Sequence, residues 1–235
     1  MKRYSKKLLS ITDIVVADAF FSTSTFEKGM SELGFYLVSR FRDNACLHYI
    51  SKRKKRRGRP RVKGEKIDLA NLNLSCTEEL HIDGLDGKVY TLEVYTKALK
   101  KRVRLVIWRM PGGKCKLFFS TKLSMMGEEV LKTYRTRFQI EFCYRDSKQF
   151  TGLMDCQARH KSQLDFAFNA SFASLNAAKV FMKDNGMDNS MAKVKSLMFN
   201  ANYTKLIFDM SRCRPNRTLI SKIVKELIGW QPKAA

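Results

Sequence analysis

Four residues of one segment have the types and the spacing for phosphate chemistry. In residues 134–148, YRTRFQIEFCYRDSK, Tyr134, Arg137, Glu141 and Lys148 recur at helical intervals. At about 100° per residue, all four fall within about 60° of one another on a helix. Such a face presents one carboxylate flanked by two cations and a phenol. The carboxylate suits a hard divalent cation, and the cations and hydroxyl suit phosphate oxygens. Leu131, Phe138 and Phe142 form a neighbouring apolar stripe, expected to pack on a core. The same spacing also describes an ordinary amphipathic helix with Arg137 and Glu141 ion-paired at i,i+4. Helical geometry alone leaves both readings open.

The elements that must position this face are legible along the chain. Residues 13–18 (DIVVAD) read as a short buried parallel strand ending in an acid. Ser22 to Thr25 offer N-caps, and Phe26, Met30 and Leu33 follow at helical spacing until Gly34. Residues 35–40 and 45–50 read as strands, so the opening is a strand–helix–strand unit. From about 66 to 120 the pattern is β-like. The segments 103–108 and 114–120 face each other across Pro111-Gly112-Gly113 as a hairpin. No proline occurs from 112 to 214, and helices are expected near 126–150, 161–184, 190–211 and 216–228. Leu164, Phe168, Phe172 and Leu175 make a stripe expected to pack.

Composition narrows the function classes. The 235 residues carry 45 Lys+Arg against 22 Asp+Glu, a formal charge of +23, which points to a polyanionic partner, most simply nucleic acid. The longest uncharged stretch, 166–178, is too short to span a membrane as a helix. Asp13 and Asp18 interrupt the apolar part that follows Lys2, Arg3, Lys6 and Lys7, which argues against a signal peptide. Six cysteines without a CxxC pair and three scattered histidines exclude a zinc finger and suit free thiols in a reducing cytosol.

The spacing Tyr134, Arg137, Glu141, Lys148 resembles the Tyr-Arg-Glu-Lys signature of bacterial insertion-sequence transposases, which are DDE enzymes. The surrounding YRTRFQIEFCYRDSKQFTGL, the opening VVADAFFS, FYLVSRFR and RGRPRVKGEKI are similar to family patterns as well, so the likeness covers most of the chain. The resemblance implies an α/β (α+β) fold with an RNase H-like core. It implies a partial core in 1–50, a basic loop and β-rich insertion in 51–120, the signature helix in 121–160 and a C-terminal helical region in 161–235. It also implies DNA transposition by metal-dependent phosphoryl transfer, with two magnesium (or manganese) ions held by two aspartates and a glutamate. Double-stranded DNA at transposon ends and target, a second copy or a full-length transposase are the implied partners, with no membrane. The implied location is cytoplasmic, at the bacterial nucleoid. Glu141 matches the family glutamate, and Tyr134, Arg137 and Lys148 match residues that position DNA phosphates.

Asp18 lies 123 residues before Glu141 and matches the second aspartate of the family, because a β-rich insertion separates that aspartate from the glutamate. Asp18 and Glu141 are therefore the implied catalytic and metal-binding pair. Asp13 is the only earlier acid. It would sit on the opposite face of the strand that Asp18 ends, which makes it a poor first aspartate. A rival alignment makes Asp18 the first aspartate and puts Lys122 where the second should be. On either alignment the triad is incomplete, and two carboxylates offset only half the charge of two magnesium ions. The chain is therefore expected to be the C-terminal portion of such an enzyme, with little strand-transfer activity of its own. Its 13–18 or 35–40 strand is expected to have an unpaired edge. A second reading is a non-catalytic basic DNA-binding protein, acting as a modulator of a full-length transposase.

Between Lys52 and Lys63 stand nine basic residues and no acid. Arg57-Gly58-Arg59-Pro60 resembles the core of the AT-hook, a minor-groove element. General phosphate contact by the run, through residues such as Lys54, Arg56, Arg57 and Arg59, is the broader expectation. His160 is read as a solvent-facing loop residue.

Overall fold

The computed structural model describes residues 2–51, 62–187, 190–211 and 216–227. The described chain falls into two units, Met1–Phe138 and Gln139–Ala235. The first unit is built on a mixed sheet. Helix α1 (Ser5–Leu9) leads into β1 (Ile14–Val16), α2 (Ser24–Glu32) and β2 (Tyr36–Arg40). Then come β3 (Leu47–Ile50), β4 (Lys63–Lys66), β5 (Glu78–Leu80), β6 (Lys88–Thr96), β7 (Lys101–Arg109), β8 (Cys115–Ser120) and α3 (Gly127–Arg135).

The opening strand–helix–strand unit forms as its residues dictate. The Thr23 hydroxyl accepts from Phe26 N and caps α2. The chain leaves α2 through Gly34 at φ +88°, a left-handed conformation that glycine adopts without a Cβ penalty. β1 and β2 are parallel, with Ile14 opposite Tyr36 and Val16 opposite Val38. The sheet order is β1-β2-β8-β7-β6-β3-β4, with β5 also paired to β6. All pairings except β1–β2 are antiparallel. β1 lies at one end of this sheet, and β2 is paired on both sides. β1 is consequently half-buried along its length, where the sequence pattern suggested a buried strand. The expected hairpin across Pro111-Gly112-Gly113 is β7–β8.

Strand alternation sorts the apolar residues onto two faces. On one face, Leu37, Leu47, Leu92, Val94, Leu105, Ile107 and Phe119 form the larger core, with Phe26 of α2 against it. On the other, Val38, Val106 and Phe118 pack with Val130, Leu131 and Tyr134 of α3. The strands predicted at 35–40 and 45–50 thus join the later strands in one sheet.

The second unit begins within α4 (Phe138–Phe150) and continues through α5 (Lys161–Asp184), α6 (Met191–Met210) and α7 (Arg217–Leu227). Its core is Leu175, Met182, Met191 and Val194, with Cys143, Phe150 and Ala178 beside them. The predicted packing stripe needs correction here. Leu175 is buried, but Phe168 is exposed, and the buried line of α5 is Ser171, Leu175 and Met182. Phe172 packs edge-on against Tyr144, with ring centroids 5.6 Å apart. No helix among the described residues is long and apolar enough to cross a membrane.

Candidate functional site

The expected helix over 126–150 is two helices. α3 ends at Arg135 and α4 starts at Phe138. At the junction Thr136 N bonds to Thr133 O (3.1 Å) and Arg137 N to Tyr134 O (3.0 Å). These i→i−3 bonds tighten the last turn. The Thr136 hydroxyl also donates to Thr133 O at 2.7 Å, offering the backbone a local partner in place of helix continuation. Neither glycine nor proline marks the break, so helical periodicity runs through it undisturbed.

The break changes what the wheel predicted. Tyr134 belongs to α3, while Glu141 and Lys148 belong to α4. The Tyr134 ring is a core residue, 8% exposed and 5.0 Å from the Phe118 ring. It does not stand on an open face as the sequence reading had it. Leu131 is buried as expected, but Phe138 and Phe142 are 49% and 43% exposed, so the apolar stripe does not continue into α4. The Arg137 guanidinium lies 5.0 Å over the Phe138 ring and 6.0 Å from that of Tyr134. Glu141 and Lys148 are exposed on α4. The buried residues of α4 are instead Asp146 and Ser147.

Two residues of α4 escaped the sequence reading. Arg145 donates to Asp146 Oδ1 from Nε (3.0 Å) and Nη2 (2.8 Å), and it lies 4.9 Å over the Phe142 ring. An adjacent acid and base in a helix normally diverge, so no sequence signal announces the pair.

Asp18 sits just past the carboxyl end of β1, with its side chain exposed. Its backbone is held from two directions. Phe21 N donates to Asp18 O at 2.9 Å, and the fully buried Ser39 donates to the same oxygen through Oγ at 3.1 Å. Ser22 Oγ lies 3.0 Å from Ser39 Oγ and 2.9 Å from Arg40 O. This serine pair fixes the turn that carries the carboxylate. In sheets with parallel strands, the space beyond the carboxyl ends is where ligands usually bind.

The other aspartate of the opening is engaged. Asp13 Oδ2 accepts from Lys122 Nζ at 2.7 Å. That hydrogen bond is the largest influence raising the Lys122 ammonium above its ordinary value of 10.5. The contact also places Lys122 beside Asp13 and away from Asp18, its neighbour in the rival alignment. β8 runs antiparallel to β2, so the residue after it returns to the start of β1 beside Asp13, not to Asp18 at its end. Lys122 lies 5.3 Å over the Tyr36 ring, the partner of Ile14.

Both candidate ligands, Asp18 and Glu141, are exposed carboxylates on separate units. Their donor chemistry suits magnesium, which usually keeps several waters and takes one or two carboxylates together with substrate phosphates. Among the described residues, no group of three or more His, Cys, Asp or Glu could hold a metal ion. His160 is exposed at the N-cap of α5, without a side-chain capping bond. Lys54, Arg56, Arg57 and Arg59 lie outside the described residues. No protein-family model matches the chain, and no curated protein matches it.

Proposed function

We propose that this chain is a DNA-binding protein of the insertion-sequence transposase type, with an RNase H-like arrangement of its opening strands and helix. Asp18 and Glu141 are its metal-binding carboxylates in this reading, and cytoplasmic duplex DNA is its partner. The observation that carries the reading is the exposed Asp18 carboxylate beyond the end of a parallel strand, on a turn held by Ser39 and Ser22. The Tyr134, Arg137, Glu141, Lys148 spacing supports it, as does the charge of +23.

Magnesium, when bound, would supply Lewis-acid polarisation of a phosphodiester and a lowered pKa for an attacking water or hydroxyl. The chain's own residues do the rest. Ser39 and Ser22 hold the Asp18 turn in one conformation, so the carboxylate needs little reorganisation to take a ligand. Lys148 and Arg137 offer charge-assisted donors to phosphate oxygens. Tyr134 contributes through its packed ring, which seats the end of α3 on the sheet.

One observation favours a second reading, a basic DNA-binding protein without catalysis. Asp13, at the other end of β1 from Asp18, is already engaged by Lys122 and offers no free further carboxylate. Calorimetric titration with manganese separates the two readings. The first expects binding that disappears in Asp18→Ala and in Glu141→Ala while duplex DNA binding in EDTA persists. Manganese binding that is absent, or unchanged in both variants, would refute it and leave the second reading.

A further inference from the structure

One row of the sheet carries four chemically related side chains on four adjacent strands. Lys66 on β4 is directly opposite His48 on β3, His48 is opposite Tyr95 on β6, and Tyr95 is opposite Arg102 on β7. Residues directly opposite in a sheet project from the same face. This is the face on which Val106 and Phe118 meet α3, but α3 packs on β2, β7 and β8. α3 reaches β6 at Thr91, beside Gly127, and at Tyr95 of β6 and at β3 and β4 the face continues beyond it. There Lys66 and Arg102 are exposed, and His48 and Tyr95 are half-buried.

Further cations gather at this row. Lys63 Nζ lies 5.3 Å over the Tyr95 ring, and Lys97 is exposed just past the end of β6. The His48 imidazole is held below its ordinary value of 6.5, first by burial and then by Lys97, Lys63 and Lys66. The lysines therefore act on one point. His48 Nδ1 is buried without a hydrogen-bond partner. Among the described strand residues, two acids share the face further along: Glu93, engaged by Arg104 Nη2 at 3.3 Å, and the exposed Glu78, opposite Thr91. Glu65, next to Lys66, belongs to the opposite face by alternation.

We propose that this row, Lys66, His48, Tyr95 and Arg102 with Lys63 and Lys97 at its margin, is a binding surface for the phosphate backbone of duplex DNA. Four strands about 4.8 Å apart make a row about 14 Å long, comparable to the axial rise of about four base pairs at about 3.4 Å each. Single strands are the poorer fit. They are gripped by open aromatic faces, whereas the Tyr95 ring is covered by Lys63. A membrane surface is also the poorer fit, because the row presents no exposed apolar side chain to insert. Recognition here is of charge and spacing, so it is independent of base sequence. The proposal rests on the reading of DNA as partner but not on metal chemistry at Asp18 or Glu141.

The test uses the full chain in EDTA and a fluorescent 20-base-pair duplex of arbitrary sequence, with affinity followed against sodium chloride. Lys63→Gln/Lys66→Gln/Arg102→Gln should lower the salt slope by about 2 to 3, because each lost phosphate contact removes about 0.9. Affinity near 0.1 M salt should fall roughly 30-fold or more. Lys28→Gln/Lys183→Gln/Lys205→Gln removes the same charge from exposed positions elsewhere and should leave the slope within about 0.5. Equal slopes for the two triple variants would overturn the proposal. If the first variant does not fold, the His48 ring resonances of the unmodified protein decide. They must move on adding duplex, and no movement at saturation overturns the proposal. Loss of binding only to single-stranded RNA or to anionic vesicles, with duplex binding intact, overturns it too. Because EDTA is present throughout, failure of the metal titration would leave this result standing, and the reverse.

Discussion

Lys101→Met should destabilise the protein more than Glu27→Gln, although the two residues form one ion pair. Lys101 Nζ donates to Glu27 Oε1, joining the start of β7 to α2. The environments of the two side chains differ. Glu27 is 7% exposed and Lys101 36%. Losing Lys101 leaves a carboxylate buried without its counter-ion, and breaking a buried pair in this way costs about 3 to 5 kcal/mol. Losing the charge of Glu27 leaves an ammonium that water can reach, close to the exposed-pair limit below about 1 kcal/mol. The part-exposure of Lys101 puts the first substitution near the low end, about 3 kcal/mol, and the second near about 1 kcal/mol. In the double variant the carboxylate is gone too, so a coupling of about 1 to 2 kcal/mol is expected. For a chain of this size, about 3 kcal/mol lowers Tm by roughly 6 to 12 °C. Urea melts at pH 7 read the effect through Trp108, which shares β7 with Lys101, in a Trp230→Phe background. Equal costs for the two single substitutions, or a coupling below about 0.5 kcal/mol, would refute a buried, stabilising pair.

Two further substitutions probe the site. Tyr134→Ala should cost about 3 to 4 kcal/mol of stability, because the ring fills the core against Phe118, and Tyr134→Phe should keep most of that packing. Thermal melts that place the alanine variant near the wild type would return Tyr134 to an open, DNA-facing role. Lys122→Met should lower Tm at pH 8 by removing the partner of Asp13. The folded-state value of Lys122 is raised, so its stabilisation is complete below about 10.5 and fades as pH climbs through the raised value. The Tm gap between variant and wild type should therefore close above about pH 10.5, and a gap constant to pH 12 would contradict the hydrogen bond to Asp13.

Much of the first unit's secondary structure was legible because it rests on local rules. Thr23 and Gly34 bound α2 by capping chemistry, and the β-branched runs of β6 and β7 fold back through turns. The candidate site was legible only in part. The place of Asp18 just past β1 was legible because an acid after an apolar run marks a strand end. Ser39 was not, because a serine inside a strand carries no mark of the buried hydroxyl that holds the Asp18 turn. The burial of Glu27 carries no mark either, since an acid in the first turn of a helix is normally a solvated dipole partner. The break at Thr136 was invisible for the reason that helical periodicity depends on residue type, and a single 3₁₀ turn barely disturbs it.

Composition and order along the chain set the charge of +23, the alternation of the strands and the spacing of Tyr134, Arg137, Glu141 and Lys148. These are one-dimensional properties, readable from residue types and intervals. Which side chains meet was settled only by sheet pairing and helix packing. The antiparallel return of β8 brings Lys122 to Asp13, 109 positions away. Four strands drawn from residues 47–109 align Lys66, His48, Tyr95 and Arg102 in one row. The packing of α3 buries a tyrosine that the helical wheel left facing outward. Strand register and helix termination depend on contacts between distant residues, and no local interval encodes them.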